Sequence, residues 1–289
     1  MFILLDYYIP YAGLCNQIYL ISNHITEAIE KNEQIFVNKM NIDIFNKKRI
    51  PASEIIDIDK TNKNLNKEVL INFDLNEVFD KDCYIPNLRI YPVTNNFVLS
   101  CITFHEKYYT PFEGYGIHFR IDIDCLIHYL FDKESYNDFI KKVNISPELA
   151  LSKAKNLLLD EKVKGYINYL FKQYVSFMVQ LGFDKPWYIC TPIGKDPYNN
   201  LLQDYLDKFI NFIKENGGTY EVSKKIYDHR ELNALVDLLV LKRCERVIGF
   251  EGSSFSEGYV YKVNTFKNKM FRFINPDYIK LNNELYNSS

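Results

Sequence analysis

The sequence predicts an α/β protein of two doubly wound halves. Three observations point there. Short apolar runs alternate with amphipathic stretches along most of the 289 residues. A strand–helix–strand pattern opens at the N-terminus, and a second alternating set fills residues 187–260. A long helical region, 124–181, lies between them. The join is expected near residue 140, giving domains 1–140 and 141–289. Such paired α/β layers hold a nucleotide in the cleft they face.

Each element has its own signal. Residues 2–5 form a short apolar strand. A Gly-containing loop follows, Pro10-Tyr11-Ala12-Gly13-Leu14-Cys15-Asn16-Gln17, and 18–31 carry a helical period. Residues 34–38 read as a second strand. Residues 39–110 are rich in Lys, Asn and Asp and read only as mixed, with strand-like runs at 69–73 and 97–104. The next strand is 116–121. Residues 124–142 and 147–181 read as helices, the second long and amphipathic. Strands follow at 187–190, 219–222 and 246–250, helices at 198–215 and 231–242, and a helix start at 253–260. Residues 274–289 are polar and read as a frayed tail.

Bulk properties exclude several classes. Apolar content of 47% and charge of 25% are ordinary for a globular chain. The 23 Tyr, 21 Phe and many Asn, Lys and Ile residues reflect AT-rich coding rather than a function. A net charge of -2 supplies no general attraction to nucleic acid or to anionic membrane. The six cysteines, at 15, 83, 101, 125, 190 and 244, show no C-x-x-C spacing, which argues against zinc ribbons and redox pairs. Several lie in apolar runs, where a thiol acts as a small hydrophobe in a reducing compartment. No signal h-region and no stretch near ~20 apolar residues is visible, so a cytoplasmic protein without membrane insertion is expected.

Three segments carry chemistry. The first is Gly13-Leu14-Cys15-Asn16-Gln17, between strand and helix. Gly13 permits close approach, and Asn16 stands near a helix start whose N–H groups attract anions or sugar hydroxyls. A plainly capped helix start reads equally well. It is no dinucleotide fingerprint, because G-x-G-x-x-G is missing.

The second segment is Ile117-His118-Phe119-Arg120-Ile121-Asp122. Strand alternation places His118 and Arg120 on one side, at the carboxyl end where ligands of open α/β sheets bind. The planar fork of an Arg pairs with phosphate oxygens and keeps its charge. The alternatives are a core His and an Arg in a structural ion pair. The third segment is Asp237 followed by Val247-Ile248-Gly249-Phe250-Glu251-Gly252-Ser253-Ser254-Phe255-Ser256. Its Gly/Ser turn offers N–H groups and hydroxyls to a diphosphate. A carboxylate at Asp237 has the acceptors to take both the ring N–H and the exocyclic amine of guanine. Alternatively, Ser253 only caps a helix and Asp237 is a surface charge.

Taken in order, G-x-x-N-Q, G-I-H-x-R, and V-D-L before I-G-x-x-x-S-S-F resemble the GDP-fucose-dependent fucosyltransferases. The likeness is nearest to protein O-fucosyltransferases, and more distant to NodZ-type and α1,6-fucosyltransferases. It rests on motifs across the chain, with Asp237 sixteen residues before Ser253. The resemblance implies a GT-B fold of two Rossmann-like domains, the first on the acceptor side and the second binding the GDP-sugar. It implies GDP-fucose as donor, a glycan or protein hydroxyl as acceptor, inversion at the anomeric carbon, and no metal or cofactor. By position, Arg120 would hold the β-phosphate, Ser253, Ser254 and Phe255 would cradle the diphosphate, and Asp237 and His118 would hold guanine and ribose. Asn16, beside Gly13, would lie near fucose and acceptor.

The chemistry agrees with those assignments. A departing GDP gains charge as the sugar becomes oxocarbenium-like, and preorganised donors lower that barrier. The pattern also departs from the family. Ile121 stands where several α1,2- and α1,6-fucosyltransferases carry a second Arg. No Glu stands in the first loop, where some relatives place a general base; Glu251, Asp122 and Asp124 are the candidates, or the donor phosphate takes the proton itself. Asp122-Ile123-Asp124 has the form of a metal motif but follows directly on Arg120. A cytoplasmic site also differs from the secretory setting of classical protein O-fucosyltransferases. A GDP-mannose or GDP-rhamnose transferase, a sugar- or nucleotide-binding protein without turnover, and an unrelated α/β phosphoryl- or methyl-transfer enzyme remain as alternatives.

Overall fold

A computed structural model describes residues 2–5, 13–43, 48–71, 83–84, 95–131, 138–139, 146–264 and 271–276. The expected polar tail beyond 276 and the loop residues 10–12 lie outside them. So do 72–73 of the run at 69–73 and most of 131–145. The chain divides into two compact units, Met1–Thr110 with Tyr227–Leu239, and Pro111–Ile226 with Val240–Ser289. The division falls at 110/111, not near 140. The reason is hydrogen bonding: the strand after residue 114 pairs with strands of the C-terminal half.

The first unit is built on a parallel sheet of β1 (Phe2–Leu5), β2 (Gln34–Val37), β5 (Leu70–Ile71) and β6 (Cys83–Tyr84), in the order β5-β2-β1-β6. Read as first to fourth strand, that is 3-2-1-4, the order of a doubly wound half. An antiparallel pair, β3 (Lys39–Asp43) and β4 (Lys48–Pro51), accompanies it. The Leu14–Lys31 helix starts four residues earlier than its period suggests. Leu14, Ile18, Ile21, Ile25 and Ala28 form its buried stripe, spaced by three or four residues. Burial of each large member contributes roughly 1.5–3 kcal/mol. Asn32, left-handed at φ 55°, ends it. The strand expected at 97–104 is instead the Asn96–Cys101 helix. Asn95 caps it, accepting from the N–H groups of Phe97 (3.0 Å) and Val98 (3.3 Å), and that cap overrides a β-prone composition.

The second unit is built on a five-stranded parallel sheet. Its strands are β7 (Tyr115–His118), β8 (Trp187–Cys190), β9 (Tyr220–Val222), β10 (Arg246–Phe250) and β11 (Phe271–Ile274), in the order β11-β10-β7-β8-β9. This is 3-2-1-4-5 read from the other edge, and the order reverses between β7 and β10. The single helix expected over 147–181 is two, Pro147–Leu157 and Glu161–Leu181. Asp160 breaks the run by capping the second through Lys162 N–H (2.8 Å). The Glu161–Leu181 helix packs Val163, Tyr166, Ile167, Leu170, Tyr174 and Met178 into a core with Phe119, Trp187 and Phe209. Gly116 is a packing requirement: a Cβ there would lie 2.4 Å from Leu241 Cδ2 and 3.0 Å from Cys244 Sγ. Among the described residues, no helix is long and apolar enough to cross a membrane.

Candidate functional site

β7 and β10 are adjacent, Ile117 beside Ile248, and the strand order reverses between them. A doubly wound sheet opens its ligand crevice at the carboxyl ends of such a pair. Two of the segments singled out in the sequence meet there, His118 to Asp122 after β7 and the turn 250–256 after β10.

β7 ends at His118, so Arg120 lies beyond the strand rather than on it. Phe119 N–H still bonds Cys190 C=O (2.8 Å) on β8. Past that point Tyr174 takes over. Its hydroxyl donates to His118 C=O (2.7 Å) and accepts from Arg120 N–H (2.9 Å), in place of a strand partner. The Arg120 guanidinium is about 28% exposed and pairs through Nε with Asp122 Oδ2 at 3.0 Å. The other Asp122 oxygen caps the Ile123–Leu130 helix, accepting from Cys125 N–H (2.8 Å). Asp122 is 1% exposed with both oxygens engaged, an arrangement that suits an orienting group better than a proton acceptor for substrate. Asp124 is buried in the first turn of the same helix.

His118 is buried. Its Nδ1 lies 3.1 Å from Ser256 Oγ, and its ring packs on Phe255 with centroids 4.7 Å apart. Burial holds its pKa well below the usual value, and the nearby charges of Arg120 and Lys195 act in the same direction. Lys195 sits in the loop after β8, whose Cys190 is the register partner of His118. The ring is therefore neutral near pH 7, with two cations around it.

The turn after β10 satisfies its own donors. Gly252, left-handed at φ 74°, gives its N–H to Glu257 Oε2 (2.6 Å). Ser253 N–H bonds Phe250 C=O (3.2 Å). Ser253 Oγ caps the π-helix Ser254–Val260 through Phe255 N–H (3.2 Å) and Ser256 N–H (3.4 Å). Four of the amides expected to cradle a diphosphate thus have intramolecular acceptors. Glu251 is exposed; its N–H bonds Ile274 C=O (3.0 Å), and its C=O accepts from Tyr129 (3.4 Å).

The remaining candidates belong to the first unit. Gly13 is the N-cap of the Leu14–Lys31 helix, in extended conformation and with no side-chain cap of its own. Glu231 occupies that helix start: its Oε2 accepts from Leu14 N–H (2.6 Å), and it is 5% exposed. The anion expected at this end is therefore a carboxylate of the protein itself. Asn16 is exposed. Gln17 is committed to the fold, donating to Asn41 C=O (3.1 Å) and accepting from Asn41 N–H (2.8 Å). Asp237 is buried, at 4% exposure on the Arg230–Leu241 helix, so it is no surface charge.

Tyr174, Lys195, Glu257 and the capping role of Glu231 belong to no motif singled out in the sequence for chemistry, and Ser256 has no role assigned within its motif. Only Ser256 had a local signal, as the last residue of the S-S-F-S run. Glu231 meets Leu14 across 217 positions of sequence, which no spacing argument reaches. Comparison of the chain with protein-family models, curated proteins and solved structures finds no match.

Proposed function

We propose that the protein is an inverting, metal-independent glycosyltransferase that moves a sugar, fucose before other candidates, from a GDP-sugar to a glycan or protein hydroxyl. One observation carries the reading: a partly exposed Arg, oriented by a buried Asp, stands at the point where the strand order of a doubly wound sheet reverses. A guanidinium there has the charge and the fork to neutralise a departing diphosphate. The reading takes the two units as the Rossmann-like domains of a GT-B enzyme. It assigns charge neutralisation to Arg120, ligand contact to His118 and the 253–255 turn, and guanine recognition to Asp237. The resemblance in the motifs supplies the nucleotide and the sugar, and the residues supply the phosphate chemistry.

One observation favours a second reading, a nucleotide- or sugar-binding protein without turnover. The turn after β10 already bonds its own amides, so a diphosphate would have to compete with Glu257 and Phe250 for them. Calorimetric titration with GDP, GDP-fucose, GDP-mannose and UDP, with and without EDTA, separates the possibilities. Binding of GDP and GDP-fucose that ignores EDTA, with no UDP binding, is the expected result. Tighter GDP-mannose changes the donor; binding without hydrolysis or transfer selects the second reading. No guanine-nucleotide binding overturns the transferase reading and leaves a binding protein without turnover or an unrelated α/β enzyme.

A further inference from the structure

The contacts of Ser256 decide which nitrogen of His118 carries the proton. Ser256 is fully buried, and a serine hydroxyl has one donor hydrogen and two lone pairs. One lone pair accepts from Phe250 N–H at 2.8 Å. Two contacts remain for the O–H and the second lone pair: Phe250 C=O at 3.1 Å and His118 Nδ1 at 3.1 Å. A carbonyl can only accept, so the hydroxyl hydrogen points to Phe250. If it pointed to His118, two oxygens would face each other with no hydrogen between them in a buried site, which is costly. Nδ1 must then bear the hydrogen of the neutral ring.

We infer that Ser256 is a positioning residue that locks His118 as the Nδ1–H tautomer, so that Nε2 is a hydrogen-bond acceptor at the edge of the β7–β10 crevice. Nε2 has no hydrogen-bond partner among the described residues. Phe255 holds the ring plane from one face, and the Tyr174 hydroxyl anchors the His118 carbonyl. A lone pair presented this way repels a phosphate oxygen and accepts from a hydroxyl or N–H of the ligand. His118 and Arg120 therefore divide the work: the imidazole reads a donor group and the guanidinium reads the anion. The tautomer stands on the contacts of Ser256 alone; only the identity of the ligand rests on the proposed function.

The test is nitrogen-resolved NMR of the His118 ring in the intact protein without ligand. The expected spectrum has a protonated Nδ1 and an unprotonated Nε2 at pH 7. Ser256→Ala is expected to shift His118 toward the Nε2–H form, with Ser256→Thr restoring the wild-type pattern. An Nε2–H ring in the wild type overturns the inference even if neither variant folds, as does an unchanged tautomer in folded Ser256→Ala. Addition of GDP-fucose is expected to move the Nε2 resonance while Nδ1 keeps its proton, and affinity for it is expected to fall about tenfold in Ser256→Ala, one hydrogen bond's worth. A protonated Nδ1 with no response to any guanine nucleotide supports the tautomer and counts against the proposed function, so the two fail separately.

Discussion

At the scale of single residues, Arg120 has two jobs that a truncation would confound. It neutralises the buried carboxylate of Asp122, and in the proposed reaction it neutralises departing GDP. Arg120→Ala is expected to lower stability by about 3 kcal/mol, because it strands a buried charge, as well as abolishing transfer. Arg120→Lys keeps the charge and loses the fork. It is expected to melt within a few degrees of wild type yet transfer about 10²–10³ times more slowly. Near-normal turnover of that variant, measured beside its melting curve, would remove the phosphate clamp. His118 gives a pH signature. Its folded pKa lies below the ordinary value near 6.5, so the unfolded chain binds the extra proton first as pH falls. That contribution to stability is complete above pH 6.5 and is lost below it. His118→Asn is expected to flatten the fall in melting temperature between pH 6.5 and 5; an unchanged slope would mean that the acid sensitivity comes from His24 or His128, which burial also depresses.

At the scale of elements, the end of β7 depends on neighbours that its own sequence does not name. Tyr174 lies 54 positions from Arg120, yet its hydroxyl holds the backbone on both sides of Phe119. Tyr174→Phe leaves His118 C=O and Arg120 N–H without that partner, and a loss of about 1–3 kcal/mol is expected by chemical denaturation. GDP affinity should fall with it; wild-type affinity would show that Arg120 does not need this anchor. Gly116→Ala would push a methyl group into Leu241 and Cys244, and the expected cost is about 1–3 kcal/mol with the site chemistry unchanged. Elements with strong periodic signals were legible: the apolar runs of β1, β8 and β10 and the Leu14–Lys31 and Arg230–Leu241 helices were all visible within a residue or a turn. Asn96–Cys101 was not, because Phe97 and Val98 favour a strand until the capping Asn95 side chain supplies an acceptor for the first helical N–H groups. The Leu158–Asp160 break was hidden for the opposite reason: the helical period continues across it, and only the cap at Asp160 interrupts the backbone.

At the scale of the whole molecule, two parallel sheets share one construction, with strand orders 3-2-1-4 and 3-2-1-4-5. The chain enters the second unit at Pro111, leaves it after Ile226, and returns at Val240. The assignment of guanine to Asp237 is tested on the intact chain. Asp237→Ala is expected to weaken GDP more than UDP, and an equal loss for both would remove Asp237 from base recognition. Its burial makes Asp237→Asn the companion variant, since that side chain keeps an acceptor while dropping the charge.

The sequence by itself determined the α/β class, the apolar faces of the strongly periodic helices and strands, and the residue types that suit phosphate chemistry. Those properties are local: they follow from period, capping and the donors each side chain owns. The tertiary structure decided where the units divide, that Arg120 is shared with Asp122, that Glu231 closes the first helix, and that Ser256 sets the hydrogen of His118. Apart from the Arg120–Asp122 pair, which lies two positions apart, each of these depends on a partner far along the chain, and a hydrogen bond depends on distance in space rather than on separation in sequence.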